Sequence, residues 1–322
     1  GGSPDPMGLL DRQPPPPPGR ASGQVTAAML DGSAVFRGLR RVFTFLDGPR
    51  PVKDCPRLLT LPFSHFCEVA RWGLDLAQIE YEEDARSPPF HIFSVHDVTK
   101  GQYSQTPVLV LPGPGGPGPE VILESVEILK YLAATHEACA WLFPEKYASE
   151  GLAELLPWLV DEFGPASRAF FYAHALKVEH EGDLKAVFAN PKTQTRTVRW
   201  LMPVVFGNVV KALRRKNPAS AVADMEAKVA QAFDKVDGLL ADGRKYLLGD
   251  DPCAADIVFA ALAMPVVGND DLLADVAPDG SRFAEWAALC APWRARPAGQ
   301  FARRVYRDLR PVDPATGKVR IR

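Results

Sequence analysis

Apolar positions along this chain follow two different rhythms. From residue 57 to about residue 136 the pattern consists of short, alternating units. Residues 57–61 (RLLTL) form an apolar run suited to a buried strand, and over 65–77 the spacing becomes helical, with Val69, Ala70 and Trp72 on the apolar side. Residues 79–83 (IEYEE) predict a second strand, and residues 88–105 a weakly helical, irregular stretch. TPVLVLP and EVILES then read as two strands around the glycine–proline loop GPGGPGPE. A helix follows from Glu124, with Val126, Leu129, Leu132 and Ala133 at helical spacing. The order strand–helix–strand–helix–strand–strand–helix describes a small unit of mixed sheet and helix, expected over residues 53–140.

After Trp141 the strand signal disappears. GLAELLPWLVDEF, PKTQTRTVRWLMPVVFGNVVKAL, ASAVADMEAKVAQAFDKVDGLLAD, PCAADIVFAALAMPVV and RFAEWAALCAPW all carry helical periodicity. The third is the clearest, with Met225, Val229, Phe233, Val236 and Leu240 on one stripe. An all-helical domain over 141–310 is therefore expected, followed by a tail at 311–322. Residues 1–52 form an extension: GGSPDP before Met7 has the look of a tag remnant, PPPPPG at 14–19 is an extended stretch, and 33–47 is a short amphipathic piece.

Composition narrows the function classes. The chain has 322 residues, 47% hydrophobic and 24% charged, with ample material for a core and a formal net charge of −2 that suggests no general polyanion partner. Cys55, Cys67, Cys139, Cys253 and Cys290 are an odd, scattered set without a CxxC pair, which fits reduced thiols and a cytoplasmic protein; the extension leaves organellar targeting open. No apolar run reaches the ~18 residues that a spanning helix needs. No His/Cys spacing suits a metal, and no basic patch interleaved with aromatics suggests nucleic acid. GPGGPG lies between two strands, whereas a phosphate loop leads from strand to helix, so it reads as a hairpin tip. In RTVRWLMPVVFGNVVKALRRK, Arg196, Arg199, Lys211, Arg214 and Arg215 flank an apolar centre; such a helix suits a core with solvated ends, a pocket wall or a membrane surface.

The chemistry concentrates in FSHFC, where a strand turns into a helix. Ser64 stands at an N-cap position, facing the free amides and positive end of the helix; it is either a cap alone or a donor to a bound anion. Cys67 is either a small buried residue or a reactive thiol, and His65 either a solvent-facing first-turn residue or a proton acceptor beside a thiol. Pro107 enters a strand, and Glu124 and Ser125 open a helix whose N-terminus suits a carboxylate, with Glu124 suited to an ammonium.

FSHFCEVARW, QTPVLV, ILESVEILKYL and LLGDDPCAADIVFAAL, in this order and at these separations, resemble the cytosolic glutathione transferase superfamily over residues 57–310. The resemblance implies an α+β thioredoxin-like N-terminal domain with a mixed four-stranded sheet, followed by an all-α domain. It places Ser64 where relatives carry the catalytic residue, makes Pro107 the cis-proline, and gives Thr106, Pro107, Glu124 and Ser125 to the binding of glutathione. The implied partners are glutathione as co-substrate, a small hydrophobic electrophile or peroxide, and a second copy in a homodimer. The mid-chain residues Phe170, Phe171, Tyr172, Trp200 and Met202 are candidates for an electrophile pocket or for core. Two other functions stay open: a glutathione-dependent thiol–disulfide reductase using Cys67, and a non-catalytic binding or scaffold protein. His65 stands where relatives have proline, and Ser64 and Cys67 stand as a serine-first variant of a CxxC. DPCAAD is read as a folding element with capping-box spacing, weakened because cysteine accepts hydrogen bonds poorly.

Overall fold

The computed structural model describes residues 38, 40–43, 55–112, 120–147, 151–177, 181–189, 194–218, 222–268 and 284–312. The glycine–proline hairpin tip, the proline run and most of both tails lie outside these residues.

Four strands, β1 (Arg57–Thr60), β2 (Glu82–Ala85), β3 (Val108–Leu111) and β4 (Glu120–Leu123), form one mixed sheet in the order β2-β1-β3-β4. β1 pairs in parallel with β2 and antiparallel with β3, and β3 is antiparallel to β4. The expected α+β unit with its mixed four-stranded sheet is thus present. Leu58, Leu59, Val108 and Leu109 are buried because the sheet is covered by α1 (His65–Leu76), α2 (Phe90–Thr99) and α3 (Ser125–Thr135).

β2 departs from the sequence expectation: it covers 82–85, not 79–83. Gln78 leaves α1 at φ 55, and Ile79 donates its amide back to Leu74, so Ile79 and Tyr81 serve as apolar plugs in the connection. The strand itself is polar (EEDA), and its buried charges are neutralised locally. Glu83 accepts from Arg71 at 2.7 Å and from Thr60 at 2.6 Å, while Asp84 pairs with Arg86 at 2.7 Å.

Among the described residues the later elements are helical: short turns at Glu137–Leu142 and Glu145–Tyr147, then α4 (Ala153–Trp158), α5 (Gly164–Ala175), α6 (Glu181–Phe188), α7 (Arg196–Lys216), α8 (Val222–Leu240), α9 (Ala254–Val267), α10 (Ala284–Ala295) and α11 (Pro297–Leu309). A π-helical turn at Leu159–Phe163 joins α4 to α5. α9 is buried on every side, with Ile257, Val258, Phe259 and Leu262 at 0% exposure, and α1, α5 and α11 pack around it. The capping box at its start is formed, and Asp256 carries most of it. Its carboxylate accepts from the amides of Cys253 at 2.7 Å and Leu247 at 2.8 Å, while burial pushes its pKa up to about 6.

Residues 40–43, within the expected amphipathic piece, are helical and dock on the α+β unit. Phe43 stacks on Phe90 at 5.1 Å and lies under the Arg86 guanidinium, and Arg40 pairs with Asp97 at 2.6 Å.

Candidate active site

The apolar run of β1 ends at Pro62, and the chain turns so that Ser64 donates its amide to Leu61 O at 3.1 Å. Ser64 has extended backbone angles (φ −82, ψ 121) and caps α1, its Oγ accepting from the Cys67 amide at 3.4 Å. That long bond occupies one acceptor site of the hydroxyl and leaves its proton to donate. Ser64 is half-buried, not sealed.

Cys67 lies one turn in and is completely buried. Its sulfur is within reach of the side chains of Ser64 and Thr106, which gathers three residues from separate parts of the sequence into one cluster. Burial pushes the thiol up despite the opposing influence of Arg71 and these two hydroxyls, so Cys67 is a neutral thiol at physiological pH. A reactive cysteine needs the reverse, a lowered pKa and an open approach.

His65 does not face solvent, contrary to one of the two sequence expectations. It is 4% exposed, and its Nε2 donates to Gly164 O at the start of α5 at 2.9 Å. The two helices meet closely there, since a Cβ on Gly164 would stand 2.5 Å from the Phe66 ring. Burial, aided by the nearby Arg168 cation and only partly offset by the bond to Gly164, takes the imidazole pKa down to about 3. A neutral imidazole with so low a pKa is a weak base, poorly matched to general-base work between pH 5 and 8. We expect the His65 ring to show no NMR titration between pH 5 and 8; an inflection near the ordinary value of 6.5 would mean that the ring is solvated. The sign for stability follows from the lowered folded value: stability from this group is present above pH 6.5 and declines as the pH falls below it.

The Thr106–Pro107 bond is cis, as the resemblance implies. Pro107 O accepts from the Glu124 amide at 3.3 Å, which places the start of α3 against the start of β3. Glu124 precedes Ser125 at the head of α3 with φ 73, a conformation costly for a residue with a side chain. Its carboxylate accepts a short hydrogen bond from Tyr103 Oη. Tyr103 had no signal in the sequence beyond its nearness to Pro107. Ser125 is buried at 2% exposure. Ser64, Thr106, Pro107, Glu124 and Ser125 therefore share the end of the sheet where α1 and α3 begin.

An aromatic wall stands beside this edge. Phe63, the neighbour of Ser64, stacks on Phe188 of α6 at 5.3 Å, and Phe188 meets Phe206 of α7 edge-on at 6.1 Å. Tyr172 and Met202 are buried in the same apolar cluster, against which Phe171 packs. Phe170 belongs instead to the main core, and Trp200 points to solvent. Among the described residues, no group of three or more His, Cys, Asp or Glu side chains is placed to hold a metal ion.

Comparison with known proteins agrees with this architecture. Residues 58–140 match the glutathione S-transferase N-terminal domain. The glutathione S-transferase CsGST63524 of Ceriporiopsis subvermispora, solved in complex with glutathione, is 20% identical, with a TM-score of 0.50 over 81% of this chain and 99% of that one. The glutathione transferase GSTFuA3 of Phanerochaete chrysosporium is 16% identical, with a TM-score of 0.51 over 81% of this chain and 100% of that one. None of the curated protein sequences matches the chain. The chain thus shares its two-part fold with these glutathione transferases, and its residues 58–140 match the model of the glutathione S-transferase N-terminal domain.

Proposed function

We propose that the protein is a glutathione-dependent transferase in which Ser64 stabilises the glutathione thiolate for attack on a small hydrophobic electrophile. The observation that carries this reading is the state of Ser64: half-buried, at the N-terminus of α1, with its hydroxyl proton uncommitted to the helix cap. The partial positive charge of the helix end and one hydroxyl donor favour an anion at that point. The structures that share this fold include one solved with glutathione bound. The chemistry of the remaining residues fits the tripeptide. The α-ammonium of its γ-glutamyl end suits the Glu124 carboxylate, the adjacent carboxylate suits Ser125 and the α3 N-terminus, and its cysteinyl backbone suits Thr106.

The step needs no proton to leave Ser64. The glutathione thiol gives its proton to solvent, the sulfur forms a bond to the electrophilic carbon, and the leaving group departs with its electron pair. Phe63, half-buried beside Ser64 and backed by the buried Phe188 ring, would present an apolar surface to the acceptor beside the thiolate. Burial and the raised pKa of Cys67 weigh against the reductase alternative.

The test pairs calorimetric titration of glutathione with two assays, conjugation of a chlorinated nitroaromatic and reduction of a mixed glutathione disulfide. Wild type is expected to bind glutathione and conjugate, and Cys67→Ala to keep both properties within about twofold, as a small buried side chain replaced by a smaller one leaves the site standing. Absence of glutathione binding ends the proposal. Disulfide reduction lost in Cys67→Ala would favour the reductase, and binding without either turnover would favour the scaffold.

A further inference from the structure

One surface has no part in the site just described. Along α7 the residues Arg196, Trp200, Val204, Gly207, Lys211 and Arg215 recur at helical spacing and are all exposed, so they form one stripe with an apolar centre and cationic ends. Trp200 is 69% and Val204 77% exposed, the largest values among the exposed large hydrophobic residues. Arg199 and Pro203 flank the stripe on the same exposed side. The opposite side of the helix is ordinary core, with Val198, Met202, Val209 and Val210 buried against the aromatic wall.

The 21-residue helix contains Arg196, Arg199, Lys211, Arg214, Arg215 and Lys216 and no acidic residue, in a chain whose formal net charge is −2. Near its C-terminal end a hollow of about 570 Å³ is lined by Phe206, Val210 and Pro218 together with Lys211, Arg214, Arg215 and Glu181. Arg214 is paired there with Glu181 at 2.7 Å, which leaves Lys211 and Arg215 as the outward cations.

We propose that this face of α7 is a docking surface for an anionic lipid bilayer. The helix would lie in the plane of the interface, with Trp200 and Val204 at the boundary of headgroups and acyl chains and the cations at both ends against lipid phosphates or carboxylates. No helix among the described residues is long and apolar enough to cross a membrane, so the contact is peripheral. Charge argues against a second copy as the occupant. A two-fold contact through this stripe would bring the cations of one copy's helix near those of the other, with no carboxylate on either helix to compensate and the neighbouring Glu181 already paired with Arg214.

The experiment is co-sedimentation of the full chain with two kinds of vesicle, phosphatidylcholine alone and phosphatidylcholine with about one third phosphatidylserine. Binding is expected to the anionic vesicles only and to weaken as salt is raised. The pair Trp200→Glu and Val204→Glu, and separately the pair Arg199→Glu and Lys211→Glu, are each expected to reduce partitioning at least about tenfold. Both pairs replace exposed side chains, and an unchanged thermal melt will show that the fold survives. The proposal is overturned if anionic vesicles do not bring the protein down, if neutral ones do so equally, or if neither pair of substitutions changes the partitioning. It is also overturned if the apolar pair instead dissolves a dimer seen by ultracentrifugation, or if RNA retains the protein and vesicles do not.

Discussion

Ser64→Ala is expected to raise the thiol of bound glutathione from a pKa of roughly 6.5 toward the free value of about 8.5, reaching it if the hydroxyl supplies the whole shift. Two units correspond to about 2.7 kcal/mol of preference for the thiolate, within what one charge-assisted hydrogen bond and a helix end supply together. The helix end remains in the variant, so recovery short of the free value would measure its share. Near pH 6.5 the thiolate fraction would fall from about half toward about one per cent, a loss in conjugation rate of up to roughly fiftyfold. The loss should shrink as the pH is raised, because glutathione then ionises unaided. Affinity for glutathione should fall only about twofold near pH 6.5, since Glu124, Ser125 and Thr106 are untouched, and by more at higher pH, where thiolate stabilisation is linked to binding. Ser64→Thr, which keeps a hydroxyl, should retain most of the activity. The cap bond to the Cys67 amide is long at 3.4 Å, so its removal should cost about 0.5–1 kcal/mol of stability and leave the variant folded. Measuring the pH–rate profile together with the thiolate absorbance of the complex decides the matter: unchanged curves in Ser64→Ala would remove the serine from the mechanism.

What could be read from the residues alone was local. Ser64 as a cap followed from an apolar run, a proline and the onset of helical spacing, and the structure places it there. The start of α3 after Glu124 was equally legible, because the helical spacing of Val126, Leu129 and Leu132 fixes it. Partners distant in sequence were not legible. β2 is polar, and nothing in EEDA announces that Arg71, from the preceding helix, and Thr60 will neutralise Glu83. His65 looked like a surface residue because its partner is the Gly164 carbonyl, 99 positions away on a different helix. The last described helix, α11, went unread, although Ala298, Phe301, Ala302 and Val305 stand at helical spacing and are buried. The misses at β2 and His65 concern charged or polar groups whose environment is supplied by tertiary packing, which periodicity does not encode.

That same packing sets the largest expected effect on stability. Arg310, at the C-terminus of α11, has a side chain with no solvent exposure and bridges two carboxylates of α1, Glu68 at 2.8 Å and Asp75 at 2.8 Å. Glu68 also accepts from Tyr306 Oη at 2.6 Å and lies 3.4 Å from Arg71, and Trp72 Nε1 donates to Leu309 O at 3.1 Å. The network therefore pins the last helix to the helix that Ser64 caps. Arg310→Met preserves much of the volume but leaves two buried carboxylates short of a counter-charge, and we expect a loss of about 3–5 kcal/mol in urea unfolding at neutral pH. The pH dependence separates this cause from simple loss of packing. Burial alone would raise the Glu68 carboxyl, but Arg310 and Arg71 with the Tyr306 hydroxyl outweigh it, so its folded pKa lies below the ordinary 4.5. A depressed carboxylate contributes stability that is present above pH 4.5 and is lost as the pH falls further. Without Arg310 the balance shifts toward burial, and protonation of Glu68 should then relieve the folded state. The gap between wild type and Arg310→Met should accordingly narrow as the pH is lowered through about 4.5 toward 4. A gap that stays constant with pH would assign the loss to packing, and a gap under about 1 kcal/mol would mean that water replaces the guanidinium at this contact.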